Sequence, residues 1–303
     1  MKWASAAGEC AQSGSAALAQ LFADCCEKIQ SELKQAPDLA LVFVAAQFAD
    51  EFHEIPMLAR EYLNAGTLLG CSAGGLIGGG AEIEQRAGLA MAAAVMPGVE
   101  ITPFHVRDDE LPDLDCPQQK WEEIVGVSGQ KRPSFVLLPD PFSFRIDVLA
   151  QGLDFAYPQS VKLGGLASGA SRVGMNALFL DNHVYRSGAV GVALSGDVQI
   201  DTIVAQGCRP VGWPLRVTRC DRNFLFELDG KPAVQALYEV LDAMPEEEQK
   251  LAQHSLMLGV VMDEFKESFA PGDFLIRHIL GLEPHTRALL VRESRRPERT
   301  LQR

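Results

Sequence analysis

The sequence predicts an α/β (α+β) protein of layered mixed sheets, in which a β-α-β-β-β module occurs twice and a smaller C-terminal α/β domain follows. Three observations predict it. The first two-thirds of the chain repeats one plan: an apolar run, a helix-like stretch, a Gly/Ser-rich segment and a pair of strand-like stretches. Phe48 and Phe142, at the ends of the two apolar runs, lie 94 residues apart, and so do Gly70 and Gly164 in the Gly-rich segments. Antiparallel hairpin patterns stand beside βα units, which fits mixed sheets rather than an all-parallel one.

Residues 1–38 are read as an N-terminal helical segment. Leu18, Leu21, Phe22, Cys25, Cys26, Ile29 and Leu33 recur at three- and four-residue spacing, so Ser15 to Gln35 is an amphipathic helix that Pro37 stops. Leu39 to Phe48 is a continuous apolar run suited to a strand buried on both faces. Glu54 to Asn64 reads as a helix with Pro56 in its first turn, and Gly66 marks its stop. Thr67 to Gly70 is a short strand entering a Gly-rich loop, and Glu82 to Val106 reads as an antiparallel hairpin turning at Pro97-Gly98. The acidic run Asp108 to Asp115 reads as a solvated linker.

The second copy begins at Pro133 with PSFVLLPDPF. A helix follows over about Arg145 to Ala156, then VKLGGLASGASRVG. Strands are expected at Asn176 to Leu180, Ala189 to Leu194 and from Val198 through Val204. The repeats therefore span about 39–106 and 133–207. Beyond them, Arg216 to Thr218 and Phe224 to Leu228 read as paired strands turning at Asp229-Gly230, and Pro232 opens a helix over Ala233 to Ala243. FLIRHILGL is a helix or strand and ALLV a short strand. The last twelve residues, 292–303, lack apolar periodicity and read as a disordered tail.

Composition narrows the function classes. A net charge of −13 is opposed to a nucleic-acid surface, which needs clustered Lys and Arg, and to anionic membranes. No apolar stretch approaches the roughly 20 residues of a spanning helix, and the N-terminus has no signal-like apolar core. Seven cysteines without a C-x-x-C motif suit a reducing compartment, so a cytoplasmic protein is expected. The six histidines are scattered, and no metal or cofactor is read from them.

Gly70-Cys71-Ser72-Ala73-Gly74 matches G-x-S-x-G, the nucleophile elbow of serine hydrolases, in which a strand-turn-helix lifts the serine out of a sheet. The residues that follow, GLIGGG, are poor helix formers, and the second copy displaces its serine to Ser168. A phosphate cradle lacks the Lys-Ser/Thr of a P-loop. A different set has binding chemistry: Cys71, Ser72 and Gly74 in the first Gly-rich segment, Ser168, Ser171 and Arg172 in the second, and Asp140 after a buried strand, as Gln47 is in the first copy. Arginine and hydroxyls hold a carboxylate and an aspartate accepts from an ammonium, so the set suits a small zwitterion such as an amino acid. The plainer alternative is that Asp140 caps a helix and Arg172 is a surface residue.

At LVFVAAQF, LLGCSAGGLIGGG, RAGLAMAAAVMPGVEITPFHV, VKLGGLASG and GAVGVALSGDVQIDTIVAQGCRPVG, the chain resembles the FIST sensory-domain family (F-box and intracellular signal transduction proteins). PLRVT, ELDGKPAVQALYEVL and DFLIRHILGLEPHTRALLV are similar to that family's C-terminal domain. The resemblance implies a FIST N-like domain over 39–207 and a partial FIST C-like domain over 208–291. It also implies a non-catalytic intracellular sensor of small ligands, amino acids being the proposed class, with a signalling protein as partner. Because the family pattern continues beyond ALLV, the expected C-terminal domain is incomplete, with an open edge for a partner strand. The alternatives are a serine hydrolase acting through Ser72 and a protein-interaction adaptor.

Overall fold

The computed structural model describes residues 1–203, 208, 210–262, 266, 268, 269, 273–291 and 300–302. The chain divides into two compact units, Met1–Asp201 and Thr202–Arg303.

The first unit runs β1 (Lys2–Cys10), α1 (Ser15–Leu33), β2 (Leu39–Ala45), α2 (Ile55–Tyr62), β3 (Thr67–Ala73), β4 (Gly75–Gly78), β5 (Ala81–Glu84), β6 (Ala87–Val95), β7 (Val99–Val106), α3 (Gln118–Val125), β8 (Ser134–Pro139), α4 (Ile146–Ala156), β9 (Lys162–Gly164), β10 (Leu178–Leu180), β11 (His183–Tyr185) and β12 (Ala189–Gly196). One sheet has the order β1-β6-β2-β3-β10-β11 and the other β7-β12-β8-β9. Alternation along the strands explains the layering. Val42, Val44, Leu68, Leu89 and Met91 face α1 and α2, while Leu39, Leu69, Cys71 and Ala94 face the second sheet. In that sheet Leu138, Val190, Val192 and Leu194 meet the first, and Phe104, Phe135, Leu137 and Ala193 pack under α3 and α4. The unit is thus a helix–sheet–sheet–helix sandwich, with mixed sheets as the sequence predicts.

The duplication runs through the topology. β1-β6-β2-β3 and β7-β12-β8-β9 have one strand order, antiparallel at the first two junctions and parallel at the third. The two glycines spaced 94 residues apart share a cause. A Cβ on Gly70 would lie 2.0 Å from the Val42 carbonyl oxygen, and one on Gly164 1.9 Å from that of Leu137, each in the neighbouring parallel strand. Only glycine fits such an approach.

Several sequence expectations are corrected. Residues 2–10 are not helical or unstructured but form β1, an edge strand paired along its whole length with β6. Pro97-Gly98 does turn the chain, with Gly98 at φ 79°, but β6 and β7 part there into different sheets and form no hairpin. The structural repeats therefore meet at that turn, and β7 opens the second. Residues 70–73 are strand, not loop, and continue into the β4–β5 ribbon. The acidic run is more than a linker: Asp108 accepts from the Arg145 guanidinium at 3.1 Å, and α3 follows. The strand expected from Val198 is absent through residue 203, and Val204 lies outside the described residues.

The second unit runs β13 (Leu215–Asp221), β14 (Phe224–Leu228), β15 (Lys231–Pro232), α5 (Ala233–Asp242), α6 (Glu246–Ser255), β16 (Met257–Val261), β17 (Phe274–Leu282), β18 (Leu289–Val291) and β19 (Thr300–Gln302). The sheet order is β13-β19-β16-β17-β18-β14-β15, and β13 also pairs with β14, which closes the sheet on itself. Ala233, Val234 and Ala236 of α5 share its core with Leu215, Val217, Leu258 and Val291. FLIRHILGL, read as helix or strand, is strand. One expectation changes: residues 300–302, read as disordered tail, pair between β13 and β16. Residues 292–299 lie outside the described residues.

Candidate functional site

The two Gly-rich segments do meet, as the duplication implies. Ser72 is fully buried inside β3, where all seven residues are buried. Its hydroxyl donates to Asn176 Oδ1 at 3.1 Å and accepts from the Ala177 N–H at 3.0 Å. Asn176, 1% exposed, donates through Nδ2 to Asp140 Oδ1 at 2.9 Å and to the Ala167 carbonyl at 3.2 Å. Ser143 donates to the other Asp140 oxygen and accepts from the Gly188 N–H at 3.1 Å. The result is a closed Ser72–Asn176–Asp140–Ser143 chain crossing from one sheet to the other. Each of these side chains has its partners, as burial in a low-dielectric interior requires.

Backbone bonds reinforce the junction. The Ser168 and Gly169 N–H groups donate to the Ser72 carbonyl at 3.1 and 3.2 Å, and the Gly74 N–H donates to Ser168 Oγ at 3.1 Å. A Cβ on Gly169 would come within 2.6 Å of the Ser72 Cβ. Arg186 reaches the rim from outside, its Nη1 3.5 Å from the Asn176 carbonyl and its guanidinium over the Phe52 ring at 5.6 Å.

The expected site residues separate by depth. Ser72 and Asp140 are joined through Asn176, and both Asp140 oxygens are engaged. Cys71 turns into the inter-sheet core, 4% exposed, and burial pushes its thiol up to about 12. Gly74, Ser168, Ser171 and Arg172 are exposed at the same end of the sandwich. No hydrogen bond or ion pair joins Ser171 or Arg172 to Asp140 or Ser72 among the described residues. Sequence reasoning missed Asn176, Ser143 and Arg186. The signal for Asn176 was present: a lone amide opening the apolar stretch NALFL.

The nucleophile elbow is not built. Ser72 lies within a strand, a second strand follows it instead of a helix, and its hydroxyl is held by an amide and a backbone N–H, with no imidazole bonded to it among the described residues. Among the described residues no group of three or more His, Cys, Asp or Glu gathers as metal ligands, and no helix is long and apolar enough to cross a membrane.

The FIST N domain family model matches residues 38–231. The chain belongs to the FIST family. The FIST match covers the core strands of both repeats from β2 onward and extends into the second unit. An uncharacterized protein of Mycobacterium tuberculosis (strain CDC 1551 / Oshkosh) is 33% identical over 260 residues, which are 85% of this chain and 65% of that protein. An uncharacterized protein of Mycobacterium bovis is 31% identical over 262 residues, 86% of this chain and 65% of its own length. This FIST chain thus spans a little less than two-thirds of the curated relatives it matches.

Proposed function

We propose that this FIST protein is a non-catalytic sensor that binds a small metabolite, an amino acid or a close relative, and passes the binding event to a protein partner in the cytoplasm. The observation that carries the reading is the Ser72–Asn176–Asp140 chain beneath an exposed polar rim. It ties the strand ends of both repeats together, so a ligand held on the rim by Ser168, Ser171, Arg172 and the Gly74 backbone bears on both at once. Ser72 and Asp140 lie beneath that site, and the adjacent Cys71, expected with them, contributes backbone there while its side chain packs between the sheets. Family membership supports the sensory role, and burial of the Ser72 hydroxyl against an amide and a backbone N–H, with no base bonded to it among the described residues, favours binding over hydrolysis. The second unit acts in this reading as a FIST C-like domain.

The test is a thermal-shift screen of the folded protein against free amino acids and a broad metabolite panel, repeated on Arg172→Gln. The expected result is stabilisation by one chemical class, without turnover and weakened in the variant. A panel that moves the melting temperature nowhere would remove the sensor reading. Labelling of Ser72 by a fluorophosphonate would put a hydrolase in its place.

A further inference from the structure

The first repeat has an opening of its own. At the C-terminal ends of β1 and β2 and the start of β6 lies a cleft of about 810 Å³, walled by Glu9, Gln12, Ser13, Gln47, Gln85 and Arg86. At the corresponding end of the second repeat, where β7 and β8 finish and β12 begins, Asp140 is fully buried. It is bonded to Ser143, whose oxygen takes the Gly188 N–H. Gln47 and Asp140 are each the first polar residue after equivalent strands, one open and one sealed. The same architecture is plugged in one copy and left open in the other.

We infer that this cleft is a second binding site, for a small zwitterion whose ammonium meets Glu9 and whose carboxylate meets Arg86. The two side chains stand together in the wall, Arg86 Nη1 2.6 Å from Glu9 Oε1, with Arg86 66% and Glu9 43% exposed. An exposed pair of this kind contributes little to stability, so separating it around a ligand is cheap, and each partner regains an opposite charge. Gln85 holds a left-handed backbone at φ 55° immediately before Arg86. That conformation is uncommon for glutamine, and sparsely populated backbone concentrates at ligand contacts. Gln12, Ser13 and Gln47 supply neutral donors and acceptors for the rest of the ligand. The site is separate from the rim around Arg172 and stands on different residues.

The experiment titrates the folded chain with the standard free L-amino acids singly, each beside its decarboxylated amine and its deaminated acid. Wild type, Glu9→Gln and Arg86→Gln are compared by calorimetry. The expected result is that at least one amino acid binds wild type and that each variant weakens it about tenfold or more. Glu9→Gln should then no longer distinguish the amino acid from its deaminated acid, nor Arg86→Gln from its amine. If a variant melts early, Gln47→Ala, outside the ion pair, should weaken binding in its stead. Binding that survives all three substitutions and falls only in Arg172→Gln overturns the cleft site and leaves the sensor reading standing. Wild type that binds no amino acid overturns the cleft site as stated, and the metabolite panel then decides the sensor reading separately.

Discussion

Asn176 donates its side-chain amide to the Asp140 carboxyl at 2.9 Å, and that bond links the strand end of β8 in one sheet to the entry of β10 in the other. Removing Asn176 leaves the Ser72 hydroxyl proton without its acceptor, although its oxygen still takes the Ala177 N–H, and leaves one Asp140 oxygen and the Ala167 carbonyl without the bond they accept. An orphaned buried polar group costs about 1–3 kcal/mol. Asn176→Ala should therefore lose about 3 kcal/mol or more in urea denaturation and Ser72→Ala about 1–3. Their double variant should lose less than the sum, because they share a network. A value for Asn176→Ala within about 0.5 kcal/mol of wild type would show that the bond stabilises nothing.

Gly70→Ala and Gly164→Ala test the duplication physically. Each puts a methyl group inside a carbonyl oxygen's radius in the adjacent parallel strand, so the strands must separate. Both should fail to accumulate as folded protein or lose about 3 kcal/mol or more. Gly80→Ala is the control: its φ of 80° is strained, but nothing lies within 4 Å, so the loss should be about 1 kcal/mol.

The buried thiols give stability a pH dependence. Burial raises Cys25 to about 11 and Cys26 and Cys71 to about 12, against an unfolded value of 9.0. Above pH 9 the folded chain therefore holds protons that the unfolded chain has released, and stability falls as pH climbs through this window. The Cys71 contribution is complete below about pH 8 and much reduced near pH 10.5. The stability gap between wild type and Cys71→Ala, read from urea midpoints, should narrow over that range. In a thiol-labelling assay the exposed Cys208 should react first and these three only on unfolding.

Trp121 is fully buried on α3, its Nε1 has no acceptor, and a Cβ on Gly152 of α4 would lie 2.3 Å from its ring. Trp121→Phe removes the orphan donor along with some packing, so its cost should stay near about 1 kcal/mol, against about 3–5 for Trp121→Ala. Gly152→Ala should destabilise wild type despite alanine's better helix propensity and do much less harm beside Trp121→Phe. A double-mutant cycle by calorimetry reads that coupling directly.

The apolar periodicities of α1, α2, α4, β2 and β8 were legible because large side chains mark their buried faces. β1 was not: WASAAGE carries almost no β-branched or aromatic residue, and it pairs with the equally alanine-rich β6. Pro97-Gly98 was readable as a turn, but pattern alone does not say which sheet a strand joins, so β7 went to the wrong repeat. At the site, Gly70, Ser72 and Asp140 stood out by type and spacing. Asn176 carries only the mark of a lone amide before an apolar stretch, and its role comes from a partner 104 residues earlier in the chain. Ser171 and Arg172 are exposed loop residues whose chemistry is not marked by spacing or burial.

The hairpin of β10 and β11, which the second repeat contributes to the first repeat's sheet, sets a timetable for synthesis. β3 ends at residue 73 and its outer neighbour β10 begins at residue 178, so about a hundred residues must be made before that edge is covered. At translation rates of roughly 5–20 residues per second the edge stays bare for about 5–20 s. Through that interval the nascent chain presents TLLGCSA to whatever strand arrives first. An edge left uncovered for that long is open to mispairing until the lending hairpin emerges.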